Sequence, residues 1–115
     1  MELVKVLLAL VVLDVITGFS KSVIKQTTIS KSFFIGILKK VSMFFVVAMV
    51  FVIDPVIDMG GSLFNTVNMF FIASEGLSIL ENCGECGVPI PEKLRNVLKV
   101  LKDKESDENK EENNG

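Results

Sequence analysis

Three long apolar segments, separated by short polar stretches, dominate the pattern of hydrophobic and polar positions along the chain. They cover about residues 3–24, 33–54 and 63–82. Each is close to the roughly 20 residues that a helix needs to cross the hydrocarbon core of a bilayer. The pattern therefore predicts an all-α membrane protein with three transmembrane helices.

The first segment allows two other interpretations. A lysine followed by a short apolar run is typical of a signal peptide, but Asp14 interrupts the apolar region and no small-residue cleavage site follows. The segment is also compatible with an amphipathic helix on the inner membrane surface. That arrangement leaves two spans with both chain ends inside.

The second segment is the most apolar of the three. It reaches full length only if Lys39 and Lys40 extend toward the headgroups. Asp54 then ends it, because the residue before Pro55 disfavours helix. With so few polar residues in its central part, this segment is expected to face lipid on all sides.

Charged residues between the segments predict their orientation. The charged residues from the end of the first segment into the second are all basic, and those of the next loop are all acidic. Further basic residues follow the third segment. In chain order these are Lys21, Lys25, Lys31, Lys39 and Lys40, then Asp54 and Asp58, then Lys93, Arg95, Lys99 and Lys102. The positive-inside rule places the first loop and the C-terminus in the cytoplasm, so the prediction is N-out and C-in.

The C-terminal part divides into two stretches. Residues 91–102 repeat apolar side chains at helical spacing among basic ones, which predicts a short amphipathic cytoplasmic helix on a bilayer with anionic lipids. A solvated connector is equally compatible with this pattern. Residues 103–115 contain six acids, two lysines and no apolar side chain, which predicts a disordered acidic tail.

Composition narrows the chemistry. Half of the 115 residues are hydrophobic, more than a soluble domain of this size can bury. The chain has no dense basic patch of the kind that nucleic-acid binding needs. The chain has no His and no phosphate-binding glycine loop, so we predict no enzyme, no catalytic residue, no cofactor and no metal site. Cys83 and Cys86 provide half of a zinc site at most. We interpret them as two small residues in a glycine-rich turn.

Two polar stripes run along the apolar segments, one on a face of the first and one on a face of the third. Three helices have too little interior to hide both stripes from lipid. We therefore expect a homo-oligomer in which the stripes line a pore or form the contacts between subunits. Their members are Asp14, Thr17, Gly18, Lys21 and Lys25 on the first segment, and Asn65, Asn68, Glu75, Ser78 and Asn82 on the third. The alternative is that these charges only hold helices together. In that case Asp14 pairs with Lys21, and Glu75 with Lys39 or Lys40.

A series of short blocks occurs in order along the chain: Asp14-x-x-Thr17-Gly18, Ser30-Lys31, Gly36-Ile37-Leu38-Lys39-Lys40, residues 75–82 and residues 87–91. This series resembles the toxin-secretion and phage-lysis holin family of Gram-positive phages and clostridial toxin loci. The resemblance covers about residues 7–101, and its most specific part is Ser-Ile-Leu-Glu-Asn followed by Pro-x-Pro.

The resemblance implies a holin of the bacterial cytoplasmic membrane. Such a protein accumulates harmlessly and then forms timed lesions as a homo-oligomer. An endolysin, or in some loci a toxin, passes through them. The other function compatible with three spans and intramembrane acids is that of a small transporter or membrane adaptor subunit. The cargo, the lesion size, the number of subunits and the trigger do not follow from the sequence.

Overall fold

The computed structural model describes residues 2–26, 31–57 and 60–114, with side chains up to residue 104. These residues form four helices and no strand: α1 (Glu2–Ile24), α2 (Lys31–Ile53), α3 (Ser62–Glu85) and α4 (Glu92–Asn114). The first three are long and apolar enough to cross a membrane, judged by length and composition. The all-α architecture with three candidate spans is thus confirmed. Ser30 and Asp58, which served the resemblance and the predicted orientation, lie outside the described residues.

Helix α3 is central in the bundle. Helices α1 and α4 pack along it, whereas α2 contacts it less extensively. An apolar core forms where the first half of α1, the second half of α2 and the first half of α3 meet. Its buried members are Leu7, Val11 and Val47, and the partly buried side chains packed on them are Val4, Met43, Phe44, Phe64, Phe71 and Ile72. Many other large apolar side chains point outward, as expected of helices whose solvent is lipid.

The turn between α2 and α3 is held by Asp54, which is 3% exposed. Its Oδ1 accepts a hydrogen bond from the backbone N–H of Gly61 at 3.1 Å, and its Oδ2 accepts one from Phe64 at 2.9 Å. Gly61, the N-cap residue just before α3, has a φ of 85° and offers no side chain to cap the helix. The carboxylate of Asp54 therefore satisfies N–H groups that the first turn of α3 leaves without a helical partner.

The C-terminal helix corrects the prediction for the end of the chain. Disorder was expected from residue 103, whereas α4 continues as helix from Glu92 to Asn114. No Gly or Pro occurs between these two residues, and the segment is rich in Glu and Lys, which are good helix formers. The alternative of a solvated connector does not hold either, because one side of α4 packs against α3.

Candidate functional site

One lysine joins two acids from different helices in the interior of the bundle. The ammonium Nζ of Lys40 in α2 donates to Oδ2 of Asp14 in α1 at 2.5 Å. It also donates to Oε1 and Oε2 of Glu75 in α3, at 3.2 and 3.1 Å. Both acids are buried, each with only 7% of its surface exposed. These contacts tie α1, α2 and α3 together at one point.

Asn82 adds a second layer of hydrogen bonds on the same side of α3. Its amide Nδ2 lies 2.9 Å from Oδ1 of Asp14 and 3.1 Å from the hydroxyl oxygen of Thr17. The Thr17 hydroxyl donates to the carbonyl of Leu13 at 2.8 Å, which leaves its oxygen lone pairs to accept from the amide. Gly18 lies beside this contact, and a Cβ placed there would be in ordinary van der Waals contact with the same nitrogen, at 3.6 Å. We call Asp14, Thr17, Lys40, Glu75 and Asn82 the intramembrane cluster.

The three charges of the cluster lie near the middle of their helices. Asp14 is the thirteenth of 23 residues in α1, Lys40 the tenth of 23 in α2, and Glu75 the fourteenth of 24 in α3. In helices that cross a bilayer, these positions lie near its centre. An unpaired charge at that depth costs about 2.5 to 3.5 kcal/mol. With one ammonium for two carboxyl groups, the cluster has a formal charge of −1 when all three are ionised.

The structure brings together part of the two stripes that the sequence predicted. Asp14, Thr17 and Gly18 lie against Asn82, and Lys40 joins Asp14 to Glu75. The sequence had placed the two stripes on separate helices and predicted no contact between them. Helical spacing identifies residues that share a face, but it does not show which faces meet.

Other members of the stripes lie apart from the cluster. Lys21 contacts Glu85 at 3.3 Å at the end of the bundle, and Lys25 contacts the same carboxylate at 3.5 Å. Asn65 is exposed, and Ser78 lines a groove against α4. Asn68 is fully buried; its Nδ2 donates to the carbonyl of Phe64 at 2.8 Å, and its Oδ1 has no hydrogen-bond partner among the described residues.

The charge pairs seen in the structure differ in part from those expected from the sequence. Asp14 pairs with Lys40 and not with Lys21, because Lys21 lies two turns farther along α1, beside Glu85. The alternative pairing of Glu75 with one of the two adjacent lysines holds for Lys40.

The second correction concerns α2, which does not face lipid on all sides. Lys40 turns inward to the acids, although the sequence pattern had both lysines extending toward the headgroups. A single chain thereby buries both acids, so hiding them does not require a second copy.

The cluster contains paired charges and amide or hydroxyl groups. Within the described residues, no group of three or more His, Cys, Asp or Glu side chains is placed to hold a metal ion. Cys83 and Cys86 are free thiols. What this arrangement can do is stabilise one packing of three helices through contacts that are lost when the helices separate.

The sequence profile of the bacteriophage holin family matches residues 1–103. The chain belongs to this family. A protein of Bacillus phage phi105 named "Probable holin" is 37% identical over 95 residues, which cover 83% of this chain and 70% of that protein.

Two uncharacterised bacterial proteins are each 40% identical to the chain. One, of 14.9 kDa, is encoded in the nagH 3′ region of Clostridium perfringens, and the match covers 85% of this chain and 75% of the relative. The other is YqxH of Bacillus subtilis, with 90% and 74% covered. No solved structure matches the chain.

Family membership and the three apolar helices make this a multi-pass protein of the cytoplasmic membrane. They support a holin role in phage lysis, which points to a non-enzymatic function. The family also favours this role over that of a transporter or adaptor subunit. That alternative is supported only by the intramembrane acids and the number of spans.

Proposed function

We propose that this protein self-associates in the cytoplasmic membrane of the bacterial host and opens lesions that release an endolysin or, in a toxin locus, a toxin. Family membership and the phage relative support the holin role. The observation that carries the mechanism is the intramembrane cluster. It gives a single chain a closed form in which its central charges are paired.

The closed form accounts for harmless accumulation. Lys40 donates hydrogen bonds to the carboxylates of both Asp14 and Glu75, and Asn82 supplies a further donor to Asp14. With these groups hydrogen-bonded to one another, the cluster needs no water near the bilayer centre, and many large apolar side chains of the three spanning helices face lipid. A membrane that contains many such chains stays tight.

Opening separates α2 from the other helices. Since α2 contacts α3 less extensively than α1 does, it is the helix that leaves with the smallest loss of packing. Asp14, Glu75 and Lys40 then need water or partners from another chain, because lipid solvates none of them. Several chains that turn these groups toward one another enclose a polar lumen, with the cluster as its lining.

Membrane potential acts on this equilibrium through the charges of the cluster. Moving one elementary charge across the membrane changes the free energy by about 2.3 kcal/mol per 100 mV. The surplus carboxylate contributes a fraction of that amount as the helices rearrange. A collapse of the potential therefore shifts the balance between the closed and open forms.

The proposed orientation places the N-terminus outside and the C-terminus in the cytoplasm, following the basic residues of the first loop and of α4. Cys83 and Cys86 then lie at the cytoplasmic end of α3. A membrane-impermeant thiol reagent is expected to label them only after cells are permeabilised. Labelling in intact cells before lysis would reverse the orientation.

Co-expression with a cell-wall hydrolase that lacks its own export signal tests the function. The pair is expected to cause an abrupt fall in optical density, whereas the hydrolase without the membrane protein leaves the culture intact. The membrane protein without the hydrolase is expected to kill cells but not to clear the culture. If the pair lowers growth gradually and the hydrolase stays inside, the proposal is wrong.

A further inference from the structure

Helix α4 folds back along α3. The side chain of Leu98 lies on Gly76, where a Cβ would be 3.1 Å from its Cδ1 atom. One turn later, Nζ of Lys102 lies 5.9 Å from the centre of the Phe70 ring. Later residues of α4 thus contact earlier residues of α3, so the two helices are antiparallel.

This packing brings the charges of α4 to the depth of the membrane-spanning part of α3. Along a helix that rises 1.5 Å per residue, Gly76 is about 14 Å and Phe70 about 22 Å from the end of α3 at Glu85. Lys93, Lys99 and Lys104 are exposed on α4. In a chain whose α3 crosses a bilayer, α4 in this place would turn charges toward lipid, which is strongly unfavourable. Full insertion of α3 therefore requires that α4 leave it.

The surface under α4 is polar for a lipid-facing one. Ser74, Ser78 and Glu81 line a groove of about 730 Å³ between the two helices, opposite Arg95 and Lys99. Gly76, in contact with Leu98, leaves the α3 backbone accessible at the same place. Departure of α4 exposes hydroxyl groups and an open backbone to hydrocarbon, where small and hydroxyl residues form close helix–helix contacts.

We propose that α4 is an internal cover of the self-association surface of α3, and that a second copy of α3 takes its place on the Gly76 face after insertion. A second copy matches this face at Ser74, Gly76 and Ser78, whose groups are complementary to themselves. Serine hydroxyls both donate and accept hydrogen bonds, so they can pair across a two-fold axis. Glycine on both sides allows the backbones to approach. The inference rests on the proposed function, since it describes how the holin assembles.

A disulfide that fixes α4 in place tests the inference. The purified full chain carries Cys83→Ser and Cys86→Ser, with Gly76→Cys and Leu98→Cys. The Leu98 side chain points at position 76, with its Cγ 3.9 Å from a Cβ placed at Gly76, so cysteines at these two positions face each other as a disulfide requires. In detergent, the oxidised form is expected to be monomeric, and the cysteine-free parent, which keeps Gly76, is expected to be oligomeric. The reduced form, with a small side chain at position 76, is expected to self-associate more than the oxidised form. In vesicles, dye release is expected only after reduction.

The outcomes separate the cover from the lesion. The inference is overturned if the oxidised protein self-associates as well as the reduced one. It is also overturned if the reduced protein and the cysteine-free parent, which carries only Cys83→Ser and Cys86→Ser, both stay monomeric. If reduction produces oligomers but neither they nor the parent release dye, the cover stands and the proposed function fails.

A pair of alanine variants gives a second test that needs no disulfide. Leu98→Ala weakens the cover and is expected to raise the fraction of chemically cross-linked dimer several-fold at equal protein concentration. Val100→Ala, at a position that is 65% exposed on the same helix, is the matched control and is expected to leave the fraction unchanged. An unchanged or lower dimer fraction for Leu98→Ala contradicts the proposal.

Discussion

The two halves of the three-helix bundle are held together by different forces. In one half, Leu7, Val11 and Val47 pack with aromatic side chains of α2 and α3. In the other, Lys40 binds Asp14 and Glu75. In water the first half would contribute most to stability, but in a bilayer lipid tails are as apolar as the core they would replace. The charged groups have no comparable substitute in lipid.

The comparison assigns different roles to the two halves. Apolar contacts are not directional, so the first half tolerates small rotations of its helices and can repack against another chain. The intramembrane cluster has specific donors and acceptors, and it is satisfied in one arrangement. We infer that the apolar half allows the helices to pack in more than one arrangement, whereas the cluster determines whether the bundle is closed.

The largest effect is expected from Lys40→Met, which leaves two buried acids without their cation. Removing one partner of a buried ion pair destabilises a protein by about 3 to 5 kcal/mol. The closed form is therefore expected to be lost, and lysis to begin earlier at an equal level of protein in the membrane fraction. Optical density with co-expressed endolysin measures the onset.

Lys39→Met is the matched control, because Lys39 is the exposed neighbour of Lys40. It is expected to keep the normal time of lysis. If both variants lyse at the normal time, the cluster does not hold the closed form.

A smaller effect is expected from Leu7→Ala in the apolar half, where the side chain is fully buried. Truncation of a buried leucine in a protein core costs about 2 to 5 kcal/mol, and we expect the lower end because lipid can fill part of the space. Thermal unfolding in detergent should show this loss, whereas the time of lysis at equal membrane level should stay the same. Leu8→Ala, at an exposed position, controls for the change of residue. Earlier lysis from Leu7→Ala would contradict the claim that only the cluster determines whether the bundle is closed.

The smallest effect is expected from Asp54→Ala, which removes the cap of α3 far from the cluster. Loss of a capping carboxylate costs about 0.5 to 2 kcal/mol. The midpoint of thermal unfolding in detergent should fall slightly, and Asp54→Asn, which keeps one acceptor, should lie between the variant and the parent. A large shift in lysis time would show that this turn takes part in opening.

The spans were predictable because their signal is local. Runs of about 20 apolar residues bounded by charges, Pro55 or glycines set the ends of α1, α2 and α3 to within three residues. The acids at 14 and 75 stood out for a similar reason, since a charge within an apolar run is conspicuous.

Their partner was harder to predict. Lys39 and Lys40 are adjacent in sequence but point about 100° apart on a helix, and only the rotation of α2 against its neighbours decides which one turns inward. The contact of Asn82 with Asp14 joins positions 68 residues apart and depends on the same tertiary packing. The contact of α4 with Gly76 has no local signal, because a glycine within an apolar helix does not indicate what packs on it.

The time of lysis of Glu75→Leu tests the central claim most directly. The substitution removes the surplus acid and leaves Asp14 and Lys40 as a neutral pair, so the closed form should become more stable and the polar lumen should lose a carboxylate. At wild-type levels in the membrane fraction, Glu75→Leu is expected to block lysis with co-expressed endolysin, and Glu75→Gln, which keeps an amide, is expected to shift its onset. Lysis at the normal time from well-inserted Glu75→Leu would contradict the account.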